Sequence, residues 1–207
     1  MLPFIAIERF GLVLQQIRDA DSEIVHAGRN QPFVRRNHFY TEIITPDQHR
    51  AWYKGICHTR DYYLVASQNK IPMGMLYLKD ITPGMHTGHI GVFFWKEDIL
   101  GTRKPILAII AFLDFFLFSV GMQNIEAIIR MDNKSMDNIV QFLKFDLCYH
   151  PQENILKANY TRERLLQERP RLMDFAQRLS REPATWRLQI RGEKDSRHHP
   201  EILRVIP

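Results

Sequence analysis

The stretch VFFWKEDILGTRKPILAIIAFLDFFLF, residues 92–118, joins a β-rich apolar run to a helix-like apolar run through a short polar segment. That segment contains Gly101 and three basic residues. A loop that leads from a strand into a helix N-terminus presents unpaired backbone N–H groups and the positive end of the helix dipole. We therefore expect a phosphate-binding site between Phe94 and Pro105.

The composition is that of one globular domain. The 207 residues are 45% hydrophobic and 25% charged, enough to bury about two-thirds of the unfolded surface. Cys57 and Cys148 lack metal-ligand spacing, so we predict reduced thiols, no metal site and a cytoplasmic protein. The apolar run Ile106–Val120 contains Asp114 and is shorter than the ~20 residues of a membrane span. The net charge of +5 is spread along the chain, which favours a small anionic substrate over nucleic acid.

Turn and cap signals divide the first half of the chain. We predict a first strand at Phe10–Ile17 and a short helix that opens at Asp19 or Asp21. Thr45 and Gln48 form a capping box that starts a second helix. The runs DYYLVAS and MGMLYLKDI then form a hairpin, and HIGVFFW is predicted to be a third antiparallel strand.

The second half alternates helices and strands. The apolar helix is predicted to begin near Pro105 and end at Gly121, before the strand IEAIIRM and a helix from Lys134 to Phe145. Two short strand-like runs follow, LCYH and ILKANY. A strand–helix–strand unit of this spacing predicts a parallel pair, and hence a mixed sheet in an α/β or α+β domain.

The C-terminal part is predicted to be a helix and a tail. The helix is capped by Thr161 and should kink or split at Pro170. We assign residues 1–182 to the domain and residues 183–207 to a basic tail. The tail contains one short strand-like run, and we expect it to be partly disordered.

The element order resembles the Gcn5-related N-acetyltransferases, or GNAT family. The segment DNKSMDNIVQFLKF (132–145) is similar to the family's Asn-x-x-Ser/Ala helix, and GHIGVFFW (88–95) to its Ala-Glu-Ile-Gly strand. IRDAD, AGRNQPFVRR and ITPDQHRAWY resemble the branch that acetylates ribosomal proteins and nucleotide-linked amino sugars. Within that branch the chain is most similar to the pseudaminic-acid pathway acetyltransferases.

This resemblance implies a mostly antiparallel mixed sheet, flanked by helices and splayed between its fourth and fifth strands. It implies acetyl-CoA as co-substrate and acetyl transfer to the amine of a nucleotide-linked amino sugar. Acetylation of a protein or peptide amine, or a non-catalytic acyl-CoA-binding module, are the alternatives. The implied partner is a small-molecule amine, with neither nucleic acid nor membrane, and a homodimer is left open.

The resemblance places the CoA phosphates on the loop before the apolar helix. The family's Arg/Gln-x-x-Gly-x-Gly/Ala pattern falls on Asp98, Gly101 and Arg103, so only the central glycine matches. Arg103 and Lys104 can instead reach phosphates as charged donors. In relatives, the asparagine at the position of Asn133 touches the pantetheine arm. The predicted cofactor-binding residues are Phe94, Gly101, Thr102, Arg103, Lys104, Asn133 and Ser135.

Acetyl transfer to an amine needs a base, a backbone N–H that polarises the thioester carbonyl, and usually an acid for the thiolate. His89 stands where many relatives have a glutamate, and histidine suits a base near neutral pH. His86 with a water relay is the competitor. The family's acid is a tyrosine whose position here is Val140, so Tyr149 on the next strand is the candidate acid.

The stretch GRNQPFVRR is predicted to bind the acceptor. Guanidinium groups hold phosphate bidentately, and an amide beside an aromatic ring suits a nucleobase or a sugar. Either Trp52 or Tyr53, on the capped helix, is predicted to wall the cleft, and Trp52 is the residue assigned. The acceptor-binding residues are therefore Arg29, Asn30, Arg35 and Trp52. The alternative is a solvated, turn-forming loop whose arginines pair with nearby Asp or Glu side chains.

Overall fold

The computed structural model of the chain describes residues 4–182 and 187–191. Within them, nine strands form one sheet in the order β7-β8-β6-β5-β4-β3-β2-β1-β9. The strands are β1 (Phe4–Arg9), β2 (Leu12–Gln16), β3 (Tyr62–Gln68), β4 (Ile71–Lys79), β5 (Thr87–Phe94), β6 (Asn124–Arg130), β7 (Asp146–His150), β8 (Ile155–Thr161) and β9 (Arg187–Arg191). The α-helices are α1 (Ser22–Arg29), α2 (Pro32–Arg35), α3 (Pro46–Ile56), α4 (Glu97–Leu100), α5 (Lys104–Leu113), α6 (Lys134–Leu143) and α7 (Arg162–Ser180).

The N-terminal segment is a hairpin, so the prediction of one strand at Phe10–Ile17 is only partly right. β2 lies inside that range, but Phe10 and Gly11 form the turn, with φ of 54° and 69°. β1, which was not predicted, pairs antiparallel with β2. Gly11 is the only turn-forming residue between Phe4 and Leu14, and the residues on either side of it are apolar, so the turn gave a weak signal. The additional strand makes β5 and β6 the equivalents of the family's fourth and fifth strands.

Local signals identified the next elements correctly. The capping box of α3 is present: Gln48 N–H donates to Thr45 Oγ1 (3.2 Å), and Thr45 N–H donates to Gln48 Oε1 (2.8 Å). β3, β4 and β5 are consecutive antiparallel strands, as predicted. Asn69 and Lys70 form the turn between β3 and β4 with φ of 51° and 64°.

The apolar helix fills the core between β5 and β6 in the chain. Nearly every residue of α5 is buried, and the helix continues as a π-helical segment over Asp114–Ser119. Three of its four phenylalanines are buried in the core, whereas Phe118 is 38% exposed beneath the Arg169 guanidinium. Asp114, fully buried, pairs with Arg9 of β1 and with Arg169 of α7. In the part of the chain that is described, no helix is both long and apolar enough to cross a membrane.

α7 is a single helix. Of the predicted kink or split at Pro170, the split is therefore wrong and the kink stays a prediction. Thr161 caps it as predicted, accepting a hydrogen bond from Arg164 N–H (3.0 Å). Pro170 and Leu166, whose carbonyl loses its helical donor at Pro170, both lie on the exposed face. Water can therefore satisfy that carbonyl, which lowers the cost of the proline.

The strand-like run of the tail is confirmed as β9, which pairs antiparallel with β1. Residues 183–186 and 192–207 lie outside the described part of the chain, and so does the disorder predicted for them. The domain boundary at residue 182 remains a prediction.

The sheet is mixed and splayed, as the fold prediction required. β5 and β6 are parallel but share only three pairs: Thr87 with Asn124, Gly88 with Ile125, and His89 with Glu126. Beyond His89, β5 stays paired with β4 as far as Phe94, and β6 stays paired with β8. The facing edges of β5 and β6 therefore separate into a cleft.

Candidate active site

The cleft between β5 and β6 encloses a cavity of about 730 Å³. Its walls are the separated ends of the two strands, the start of α5, one face of α6, and α2 with the loop that follows it. From Ile90 to Phe94, the β5 edge that faces the cleft has no strand partner among the described residues. An extended ligand with amide groups can pair with that edge, because its backbone groups are otherwise left without partners.

One end of the cavity is the loop predicted to bind phosphate. Thr102 and Arg103 line it, next to the N-terminus of α5. The Thr102 hydroxyl donates to the Ile99 carbonyl (2.7 Å) and so closes α4 into the loop. Leu107 N–H donates to the Arg103 carbonyl (3.1 Å) and Lys104 N–H to Thr102 Oγ1 (3.3 Å). Pro105 has no N–H, so at the start of α5 the Ile106 N–H can face an outside acceptor. Gly101 and Lys104 flank this end without lining the cavity.

The other predicted cofactor residues lie along the same cavity. Phe94, Asn133 and Ser135 all line it. The Asn133 side chain accepts a hydrogen bond from Met136 N–H (3.2 Å), so it caps α6, as Asn before a helix commonly does. Asn133 can cap α6 and also contact a ligand in the cavity, because the cap uses only its side-chain oxygen.

His89 lies at the last strand pair before the cleft opens. Its Nε2 is 3.2 Å from Glu126 Oε2, and its Nδ1 is 3.6 Å from Asp80 Oδ2. Asn124 donates to the second Glu126 oxygen (3.2 Å) and holds that carboxylate in place. His89 does not line the cavity, but its neighbours Ile90 and Gly91 do. An imidazole between two carboxylates can accept a proton and pass it on.

Tyr149, the candidate acid, lies outside the cavity lining. It stands on the edge strand β7, is 48% exposed, and donates to Asp137 Oδ1 (3.3 Å). Partial desolvation and the Asp137 carboxylate raise its pKa. Val140, the position of the family's tyrosine, is buried and lines the cavity. The role of Tyr149 stays a prediction that no contact with the cavity supports.

The predicted acceptor-binding residues mostly hold the loop after α2. Arg29 donates to the Tyr40 carbonyl (2.9 Å) and Arg35 to the Thr41 carbonyl (2.8 Å). Asn30 exchanges two hydrogen bonds with the backbone of Ile44, both 2.8 Å long. None of the three lines the cavity. These contacts match the alternative interpretation, a turn-forming loop with paired arginines. The partners of Arg29 and Arg35 are backbone carbonyl groups, however, and not the Asp or Glu side chains that were expected.

Trp52 is part of a small hydrophobic cluster between α3 and the sheet. Its ring meets Tyr63 edge-on at 5.5 Å and lies 5.1 Å from the His49 ring. It is partly buried and does not line the cavity. Its predicted role in the cleft remains untested.

Arg36, the last residue of the stretch predicted to bind the acceptor, lines the cavity. Sequence reasoning missed the three residues that follow it, Asn37, His38 and Phe39, which also line the cavity. His38 meets Phe93 edge-on at 5.5 Å, and burial together with the nearby Arg29 charge lowers the pKa of His38 to about 4. Its imidazole is therefore neutral at pH 7. No local motif marks these residues, and the basic run beside them was the only signal.

The acetyltransferase (GNAT) domain model matches residues 11–146. The chain belongs to the GNAT family. The GNAT domain accounts for the splayed sheet, and the protein is an acetyl-CoA-dependent N-acetyltransferase. No curated protein matches the chain significantly.

Solved structures share this GNAT fold. Spermidine N-acetyltransferase from Vibrio cholerae, in complex with CoA and spermine, superposes with a TM-score of 0.66 at 13% identity, covering 75% of this chain and 98% of that one. RimL, a ribosomal alpha-N-protein acetyltransferase in complex with CoA, has a TM-score of 0.63 at 14% identity, with coverages of 73% and 94%. An aminoglycoside acetyltransferase in complex with CoA has a TM-score of 0.65 at 12% identity, with coverages of 76% and 99%. At these identities the likeness concerns the fold.

The residues of the GNAT cleft fit acetyl-CoA. The unpaired edge of β5 would hold the amide groups of the pantetheine arm, and Arg103 with the start of α5 would face the phosphates. Among the described residues, no cluster of three or more His, Cys, Asp or Glu side chains could hold a metal ion.

Gly101 provides a direct test of the phosphate end. Its φ is −85°, and a Cβ built on it meets no atom within 4 Å, so the fold itself does not require glycine. We expect Gly101→Ala to weaken acetyl-CoA binding about tenfold, because the methyl group occupies space next to the phosphates, with a free energy of unfolding within about 0.5 kcal/mol of wild type. Calorimetric titration and thermal denaturation measure both quantities.

The matched control is Gly55→Ala on α3, where an added Cβ also meets nothing within 4 Å. It should leave acetyl-CoA affinity unchanged and should stabilise the helix by up to about 1 kcal/mol. Equal affinities for the wild type and Gly101→Ala would remove this loop from the cofactor site.

Proposed function

We propose that this GNAT domain acetylates the amine of a nucleotide-linked amino sugar. The observation that carries the proposal is Arg36, an exposed cation that lines the main cavity and also a smaller cavity of about 360 Å³ against residues 132–135. Phe39 lies three residues further along the same wall. A guanidinium can hold a diphosphate bidentately, and an aromatic ring can support a base or a sugar.

The structure changes which arginine is assigned to the phosphate. The guanidinium groups of Arg29 and Arg35 already donate to loop carbonyls, so they shape the wall of the cleft. Of the three arginines in the GRNQPFVRR stretch, Arg36 is the one that lines the cavity. We therefore assign substrate phosphate to Arg36 and the support of its loop to Arg29, Asn30 and Arg35.

The reaction needs His89 and the free edge of β5. We infer that the amine loses its proton to His89, directly or through a water molecule, while Glu126 and Asp80 stabilise the imidazolium. A backbone N–H on the free edge of β5 polarises the acetyl carbonyl of the substrate and stabilises the developing oxyanion. The apolar cavity wall keeps water from the thioester.

A protein or peptide amine is the second candidate acceptor. Phe39, Tyr40 and Ile43 are 58%, 49% and 63% exposed on the loop beside the cleft. Exposed apolar residues this close together suit a polypeptide. RimL, with the same fold, acts on a ribosomal protein. The spermidine and aminoglycoside enzymes act on small-molecule amines, so the fold does not choose between these acceptors.

Thiol release from acetyl-CoA with a panel of amines tests the assignment. We expect a nucleotide-linked amino sugar to exceed the free amino sugar in kcat/KM by about 10²-fold, mainly through KM, because the diphosphate contributes binding energy away from the reacting amine. Arg36→Ala should raise KM for the nucleotide-linked substrate only.

Arg50→Ala, on the exposed face of α3 and away from the cavity lining, is the control that removes an equal charge. It should leave both KM values unchanged. Comparable efficiency with the free sugar, or higher efficiency with a peptide amine, would reject the nucleotide-linked acceptor and favour the second candidate.

A further inference from the structure

We propose that Tyr77 of β4 donates the proton that the CoA thiolate takes up as it leaves. The proposal rests on acetyl-CoA lying in the cleft, as proposed above. It gives the cleft the acid that neither Val140 nor Tyr149 supplies there.

The phenol of Tyr77 lies across β5 at the opening of the cleft. Tyr77 pairs in register with Gly91. A Cβ built on Gly91 would lie 1.9 Å from Cζ and 2.1 Å from Oη of Tyr77. The ring therefore occupies the space that any side chain at position 91 would fill, and its hydroxyl stands over β5. Gly91 lies just beyond the last β5–β6 pair, and both residues line the cavity.

The ring is held in place from the other side. It stacks on Tyr63 with ring centroids 5.6 Å apart and an angle of 27° between the planes. It packs against the cluster that includes Met75 and Phe93. The Tyr77 ring packs against Tyr63 on one face and fills the space left by Gly91 on the other. These contacts fix the direction of the hydroxyl, as a proton donor requires.

The hydroxyl is protonated and available. Burial raises the pKa of Tyr77, against smaller opposing effects of Lys79 and Arg29 and a reinforcing effect of Asp80. Within residues 4–182 and 187–191, no protein group forms a hydrogen bond with this hydroxyl. Of the cavity-lining residues, Tyr77 is the only tyrosine. A ligand in the cleft can therefore accept its proton.

The position of the Tyr77 hydroxyl agrees with the path that acetyl-CoA is expected to take through the cleft. If the phosphates bind near Arg103, the acyl arm runs back along the free edge of β5 towards the point where β5 and β6 meet. That path brings the thioester to Gly91 and to the hydroxyl above it. Thr102 and Ser135 also line the cavity, but they lie at the α5 and α6 ends of it.

Acetyl transfer converts the amine and the thioester into an amide and a thiol. The amine nitrogen forms a C–N bond to the acetyl carbon and gives one proton to His89. The C–S bond breaks, its electron pair stays on sulfur, and sulfur takes the Tyr77 hydroxyl proton. The phenolate then regains a proton from water, and His89 releases its own to solvent. The products are the acetamide and the free thiol of CoA.

Tyr77→Phe tests the role, because phenylalanine keeps the ring over Gly91. We expect kcat to fall about 10²-fold, with the dissociation constant of acetyl-CoA and the melting temperature unchanged. Tyr63→Phe is the matched control, since it removes a hydroxyl from the stacked partner, which does not line the cavity. Its kcat should equal that of the wild type.

Coupling with Gly91 separates chemistry from packing. Gly91→Ala displaces the ring at position 77 whether that ring is tyrosine or phenylalanine. Its structural cost is therefore the same in the wild type and in Tyr77→Phe. It should lower kcat in the wild type and cause no further loss in Tyr77→Phe. The rate is measured with the best amine of the acceptor panel and also as acetyl-CoA hydrolysis without an amine, so a wrong acceptor assignment leaves the test intact. A wild-type kcat in Tyr77→Phe, an equal loss in Tyr63→Phe, or additive losses with Gly91→Ala would overturn the proposal.

Discussion

Replacing His89 by alanine is expected to lower kcat by about 10³-fold and to leave the affinity for acetyl-CoA nearly unchanged. A general base acts on the acceptor amine, so its loss appears in turnover rather than in donor binding. Both ring nitrogens of His89 face carboxylates, Asp80 and Glu126, and the role of His89 as the base stays a prediction. Steady-state rates and calorimetric titration of acetyl-CoA measure the two quantities.

His86→Ala is the control for this experiment and also tests the competing base. The exposed side chain of His86 lies on the turn before β5, while its carbonyl accepts hydrogen bonds from Gln123 and Asn124 N–H, both 3.0 Å long. Alanine keeps those bonds, so kcat should stay at the wild-type value. If His86→Ala loses as much activity as His89→Ala, the water relay through His86 becomes the better mechanism. A wild-type pH–rate profile that is flat from about pH 5.5 to 8 would exclude a histidine base altogether.

Replacing Asp114 by alanine is expected to destabilise the fold by about 3–5 kcal/mol. Asp114 is fully buried and pairs with Arg9 and with Arg169, whose Nε lies 2.6 Å from Oδ1. Its removal leaves the buried Arg9 guanidinium next to Arg169 without the carboxylate that compensates both charges. For a chain of this size, the melting temperature should fall by roughly 10 °C or more.

Asp174→Ala, on α7, is the control. Asp174 also accepts from an arginine, Arg178 Nε at 2.9 Å, but both side chains are more than half exposed. An exposed i,i+4 pair contributes a few tenths of a kcal/mol, so this variant should melt close to the wild type. Similar melting temperatures for the wild type and Asp114→Ala would show that the buried pairs contribute little to stability.

The elements with local signals were predicted from the sequence, and those without them were not. The caps Thr45, Asn133 and Thr161 each marked a helix start correctly. The turn at Gly11 was missed because its chemistry is carried by one glycine between apolar residues. The split at Pro170 was wrongly predicted because sequence alone does not show which face of a helix meets solvent.

The candidate site divides in the same way. Thr102, Arg103 and Asn133 line the cavity and belong to segments whose type is visible in the sequence. The pairing of Tyr77 with Gly91, and of His89 with Glu126, exists only once strands β4, β5 and β6 are in register. Residues that meet across a sheet carry no signature along the chain, so these contacts required the structure.

The three β5–β6 pairs have a mechanical consequence. They join two half-sheets, β9 with β1–β5 and β6–β8, each held by its own continuous ladder. Rotation about this short joint would widen or narrow the opening without breaking a hydrogen bond inside either half. The crossover through α5 limits that rotation, because the helix packs in the core shared by both halves. A molecule that binds to both half-sheets across the opening would restrict their rotation.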